Sequence, residues 1–119
     1  MLSSKRSERS LLADLQSEIA NLKAKLVAFG LYDERDYLEA NPDVRKAVRD
    51  GVYKDGLTHF RTSGLDEGRF PGYGNFDWDA YLRANGDLAN FRNERDPESA
   101  ARQHFREAGY KEGRTFRET

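Results

Sequence analysis

Two stretches of this chain, residues 32–70 and 76–115, carry one pattern. The offset is 44 residues (33 to 77) and becomes 45 (59 to 104) after a one-residue insertion. Asp33, Tyr37, Leu38, Ala40, Asn41 and Asp43 are matched by Asp77, Tyr81, Leu82, Ala84, Asn85 and Asp87. Past the insertion, His59, Phe60, Arg61, Gly64, Glu67, Gly68 and Arg69 are matched by His104, Phe105, Arg106, Gly109, Glu112, Gly113 and Arg114. Identity this dense at near-constant spacing marks a duplicated structural unit. A unit of about 40 residues cannot bury much of its own surface, so the two are expected to stack and share one core of Tyr, Phe, Leu, Val and Trp78.

Each unit reads as three short helices. Asp33 and Asp77 are candidate N-caps, their carboxylates close to free backbone N–H groups. Asn41-Pro42 breaks the chain, because the residue before proline leaves the helical region and proline suits a first helical position. Asn41 is therefore expected to end one helix and cap the next, with Asn85-Gly86 doing the same in the second unit. The second helix is expected to bury Val44, Ala47 and Val48, or Leu88 and Phe91. The third starts after Asp55 or Asp96 and presents Leu57 and Phe60, or Ala101 and Phe105. Gly64 and Gly109 are expected to end it as left-handed residues, with Glu-Gly-Arg as a closing turn. Gly72 and Gly74 read as a short connector.

Ahead of the units, Leu12, Leu15, Ile19, Leu22, Leu26 and Phe29 fall at spacings of 3, 4, 3, 4, 3, the seam of a coiled coil. Leu12, Ile19 and Leu26 take position a; Leu15, Leu22 and Phe29 take position d. Glu18 at g and Lys23 at the next e reach across a parallel pair. Gly30 stands where a C-cap is expected. Fewer than three heptads make a lone helix marginal in water. It pairs with a copy of itself, packs its apolar face on the repeats, or belongs to a longer coil. The first is preferred for so narrow a stripe, dimer before trimer.

The expected architecture is therefore all-α: a disordered tail (1–10), a coiled-coil oligomerisation helix (11–30), a first helical repeat (31–71), then connector, second repeat and C-terminal tail (72–119). Basic and acidic side chains nearly balance, 20 against 21. Such a chain raises no single-sign field for phosphates, which argues against nucleic acid as a partner. With no cysteine, disulfides, thiolate metal sites and cysteine nucleophiles are out. No apolar run reaches the roughly 20 residues of a transmembrane helix, and residues 1–10 lack the apolar stretch of a signal peptide. Those two points suggest a cytoplasmic protein, at the inner face of the envelope as one option, or a secreted one if the chain is a fragment of a longer exported protein.

Tyr37-Leu38-Glu39-Ala40-Asn41-Pro42-Asp43-Val44, followed by His59-Phe60, Gly64 and Glu67-Gly68-Arg69, resembles a helical repeat of many bacterial proteins. That repeat is often appended to glycosyltransferases, methyltransferases and sulfotransferases of surface-polysaccharide assembly, and to repetitive secreted proteins. Tyr81 to Leu88 departs from it at Gly86, where the pattern has proline; His104 to Arg114 fits. The resemblance implies an accessory segment with no catalytic set, associated with envelope glycans.

The residues themselves point the same way. His59 and His104 sit in different units, not at i, i+4, so a helical zinc site is not expected, and neither has a patterned serine beside it. Asp43 with Glu67, and Asp87 with Glu112, are explained by capping and turns before any acid–base role. No catalytic residue, metal or cofactor is expected. The function expected is a non-catalytic interaction and oligomerisation module with a protein or glycan partner, and the chain is not expected to be an enzyme. The alternatives are a carbohydrate-binding module and a non-catalytic fragment of a larger transferase. Glycan contacts would come from Tyr73, Trp78 and Tyr110 as stacking rings, and from His59, His104, Arg69 and Arg114 as polar groups. Each of these also has a plain structural role open to it: core packing for the rings and histidines, an internal ion pair for the arginines.

Overall fold

A computed structural model describes residues 4–118, with side chains from residue 7 onward. Among the described residues the chain is all-helical. The first helix, α1 (Ser4–Leu31), runs 28 residues. The molecule is elongated, 65 × 44 × 20 Å along its principal axes. The expected tail lies partly outside the described residues (1–3), but Ser4–Ser10 form the opening turns of α1. These residues include no glycine or proline, and a helix nucleated downstream extends through them at little cost. At its other end α1 runs through Gly30 to Leu31. Gly30 is helical rather than a left-handed cap.

The first half continues with α2 (Glu34–Ala40), α3 (Pro42–Arg49) and α4 (Gly56–His59), which widens into a π turn at Phe60–Gly64. The second half has α5 (Trp78–Ala84), a 3₁₀ segment (Gly86–Asn93), and α6 (Pro97–His104) widening at Phe105–Gly109. The caps are where local chemistry places them. Asp33, Asp55, Asp77 and Asp96 accept from the backbone N–H of Asp36, Thr58, Ala80 and Ser99 at 2.8–3.1 Å. Pro42 opens a regular α3, whereas Gly86 at the same place opens a 3₁₀ segment, where proline's preset φ is replaced by glycine's freedom.

Asn41 does not cap α3 with its side chain. Its amide instead donates backward to Tyr37 O (2.8 Å) and across to Phe70 O (3.3 Å). Asn85 does the same to Tyr81 O (2.7 Å) and Thr115 O (2.9 Å). Each asparagine thus fastens the end of its own half onto the last turn of α2 or α5, which satisfies both amide N–H groups within the protein.

The single shared core expected from the sequence is two clusters. Ala28, Tyr37, Val44 and Phe60 form one; Leu31, Tyr81, Leu82, Leu88, Ala101 and Phe105 form the other. The end of α1 feeds both, through Ala28 and Leu31, which sit three residues apart. Leu31 is 0% exposed, a burial worth about 2 kcal/mol. Phe70 and Tyr73 of the connector pack into the second cluster. The connector is itself a close joint: Gly74 N–H donates to Leu31 O (2.7 Å), Tyr73 N–H to an Asp36 carboxylate oxygen (2.9 Å), and Asp33 N–H to Pro71 O (3.3 Å). A Cβ at Gly74 would lie 2.8 Å from Leu31 O, so only glycine allows the two strands of backbone to meet.

Candidate functional site

The joint decides which side of α1 faces the body and which faces water. Ala28 and Leu31, at heptad positions c and f, are the buried residues of the helix. At about 100° per residue these lie roughly opposite the a/d stripe. The stripe is correspondingly open: Leu12, Leu15, Ile19 and Leu22 are 51–59% exposed, and Leu26 is 73% exposed. Packing of this face on the chain's own repeats, one of the options the sequence leaves, is not the arrangement found. Phe29 departs from the rest of the seam. Its ring stands edge-on to Phe60 at 5.2 Å, so it is shared between seam and body while the other five side chains face solvent.

The two histidines are built into the body. Tyr37 and Tyr81 are 0% exposed, and their hydroxyls meet Nδ1 of His59 (2.8 Å) and His104 (2.7 Å). Burial raises both phenols to about 12, so each hydroxyl keeps its proton for this bond across the neutral range. The left-handed conformation expected at Gly64 and Gly109 occurs instead at Gly68 (φ 71°) and Gly113 (φ 69°) in the closing turn. Gly64 and Gly109 lie within the π turns, where a Cβ at either would fall on a tyrosine hydroxyl, 3.0 Å and 2.9 Å from the Cζ of Tyr37 and Tyr81.

Arg69 and Arg114 are tied back into the chain. Arg69 grips both carboxylate oxygens of Asp43 (2.8 Å each), donates Nε–H to Glu67 (2.8 Å) and reaches Asn41 Oδ1 (3.1 Å). Arg114 repeats the set on Asp87 (2.8 and 2.9 Å), Glu112 (3.0 Å) and Asn85 (3.2 Å). Four of the five N–H donors of each guanidinium are used, which leaves little of a fork for a sugar or phosphate. The same bonds hold the Asp43 and Asp87 carboxyls below their usual range, as ionised partners of arginine.

The three aromatic candidates also have internal partners. Tyr73 packs among Phe70 and Phe76, under the Arg102 guanidinium (5.0 Å), and donates its hydroxyl to Arg102 O (2.9 Å). Tyr110 lies against Phe70 and Phe105. Trp78 leans on the second cluster with Arg92 5.9 Å from its ring centroid. Of the seven glycan candidates, Tyr73 and Tyr110 share the Phe70 and Phe105 rings, and Tyr110 and Arg114 line one cleft. What sequence reading passes over is the anchoring face, Ala28 and Leu31, and the joint at Gly30 and Gly74. A signal was there: the 44-residue offset also pairs Gly30 with Gly74 and Tyr32 with Phe76, extending the repeated pattern into the end of α1.

A cleft of about 820 Å³ opens between α1 and the end of the second half, from Ala24, Leu26 and Val27 across to Tyr110, Phe116 and Arg117. Among the described residues no helix is long and apolar enough to cross a membrane. Comparison with protein-family models, with curated proteins and with solved structures finds no match to the chain.

Proposed function

We propose that this chain is a non-catalytic oligomerisation and interaction module in which α1 pairs with α1 of a second copy as a coiled coil. The observation that carries this reading is the opposition of faces on α1: the c/f side is anchored to the body, while five residues of strict a/d spacing stand in water. An apolar stripe of that regularity is costly to leave exposed and is the size and shape of a helix partner. Parallel pairing is favoured because Glu18 at g then meets Lys23 at e of the partner, and the two bodies project from the same end. In this reading the matched halves are two copies of one helical repeat, held together by the Leu31–Gly74 joint and presented as a pair to a protein or glycan partner. The resemblance to bacterial repeats of surface-polysaccharide proteins suggests the setting.

The test is the solution mass by light scattering, with Leu15→Glu/Leu22→Glu as the variant. Both positions are half exposed in the single chain, so the fold itself should tolerate the change. Twice the chain mass (or three times) that falls to the single-chain mass in the variant supports the module. A single-chain mass for the unaltered protein at high micromolar concentration removes it.

A further inference from the structure

We infer that the cleft between α1 and the end of the second half is a binding site for an amphiphilic anion, a single alkyl chain with a phosphate or carboxylate head. The walls are apolar: Ala24, Leu26 and Val27 from α1 on one side, Tyr110 and Phe116 on the other. The rim is basic. Lys111 and Arg117 both line it, and among the described residues neither stands within ion-pair distance of a carboxylate. With the Asn75 amide turned so that both its neighbours are satisfied, its oxygen accepts from Arg117 Nη1 at 2.6 Å and its NH₂ donates to Gly30 O at 3.1 Å. The joint between the halves therefore also positions a rim cation.

Comparison of the two halves shows where this chemistry comes from. At the 45-residue offset, Tyr110, Lys111, Phe116 and Arg117 replace Leu65, Asp66, Pro71 and Gly72. The residues that hold each half together are the same in both: the tyrosine–histidine pair, the asparagine, and the arginine with its two acids. Those that differ at the end of the second half add two rings and two positive charges to one cleft and remove a negative one. An open volume of this size with apolar walls and a few polar groups at its edge is the usual form of a small-ligand site. Two cations that form no ion pair among the described residues complement an anionic head, and the apolar walls complement its hydrocarbon chain. The site does not need α1 to pair: of its α1 wall only Leu26 belongs to the seam, while Ala24 and Val27 lie at heptad positions f and b.

The experiment is titration of the full chain with dodecyl phosphate below its micellar concentration, followed by calorimetry, beside dodecanol and inorganic phosphate. Saturable one-to-one binding of dodecyl phosphate is expected, with both comparison ligands weaker by roughly tenfold or more. Lys111→Asp/Arg117→Gly, the residues of the first half, should weaken dodecyl phosphate by a similar factor and leave dodecanol unchanged. Leu15→Glu/Leu22→Glu should leave binding intact. Absence of saturable binding overturns the inference, as does equal affinity for the alcohol. So does binding that survives the rim variant but is lost in the seam variant, since the amphiphile would then lie on the open stripe of α1.

Discussion

The Tyr37 hydroxyl occupies the place where a side chain on residue 64 would begin, and from there it bonds His59 Nδ1 at 2.8 Å. One residue's absence of a Cβ is the condition for another's hydrogen bond. The same arrangement joins Tyr81 to Gly109 and His104. Gly64→Ala should therefore destabilise the protein by about 3 kcal/mol, because the methyl must displace a fully buried ring. Tyr37→Phe alone should cost about 1–3 kcal/mol by leaving buried Nδ1 without a partner. The double variant should lose less than the sum of the two, since the nearest clash partner of the methyl, the hydroxyl, is gone and only the ring carbon at 3.0 Å must give way. Urea unfolding of the four proteins measures the coupling; strictly additive losses would place the cause elsewhere.

The arginine clasps predict a chemistry-specific loss. Arg69→Lys keeps the charge but cannot grip Asp43 with two N–H groups while also reaching Glu67 and Asn41. It should cost about 1 kcal/mol, the ion-pair share being trimmed by the solvent around Asp43. Arg69→Met should cost more, and that gap, read from denaturation midpoints, separates the fork from the packing of the stem. Because Asp43 and Asp87 have lowered carboxyl pKa values, the contribution of both clasps is present at neutral pH. It is lost as pH falls through the folded-state values, below the ordinary carboxylate range.

Alkaline pH should act through the two buried phenols. Their folded values near 12 stand above the ordinary 10.0. The folded state therefore holds its protons longer than the unfolded chain. That contribution is complete below pH 10 and disappears as pH rises toward 12. The melting temperature by circular dichroism should be level from pH 7 to about 9 and fall steeply beyond 10. Replacing Tyr37 and Tyr81 by Phe should lower the plateau and flatten the alkaline fall. A fall equally steep in that variant would show that other groups control it; Tyr32, Tyr73 and Tyr110, all raised chiefly by burial, are the first to test.

The joint between the halves should be sensitive at one atom. Gly74→Ala places a methyl against the carbonyls of Leu31, Tyr32 and Gly30 at 2.8–3.0 Å, with no flexible side chain to yield. Hydrogen exchange should quicken at Tyr73, Gly74 and Asp33, whose N–H groups make the joint, while those of the Asp55 and Asp96 caps stay protected. Uniform quickening across the chain would mean the joint is not a separable element.

The sequence by itself determined what neighbouring residues decide. Aspartates at 33, 55, 77 and 96 cap helices because each carboxylate and the backbone N–H that donates to it are three residues apart. Proline at 42 and glycine at 86 set the character of the turn that follows, and the 3-4 spacing of α1 makes one apolar stripe. The stripe was legible; its exposure was not, because that depends on Ala28 and Leu31 finding partners in two separate clusters. The glycines at 64 and 109 read as left-handed caps from local rules, yet they answer to tyrosines 27 and 28 residues earlier in the chain. Asn41 ends α2 and opens α3 where local rules place it, but its side chain serves as a clamp instead of a cap, since Phe70 O and Arg69 reach it only once the half has closed. Tertiary structure decided these roles because close approach and buried hydrogen bonds join distant residues, and no spacing along one helix encodes them.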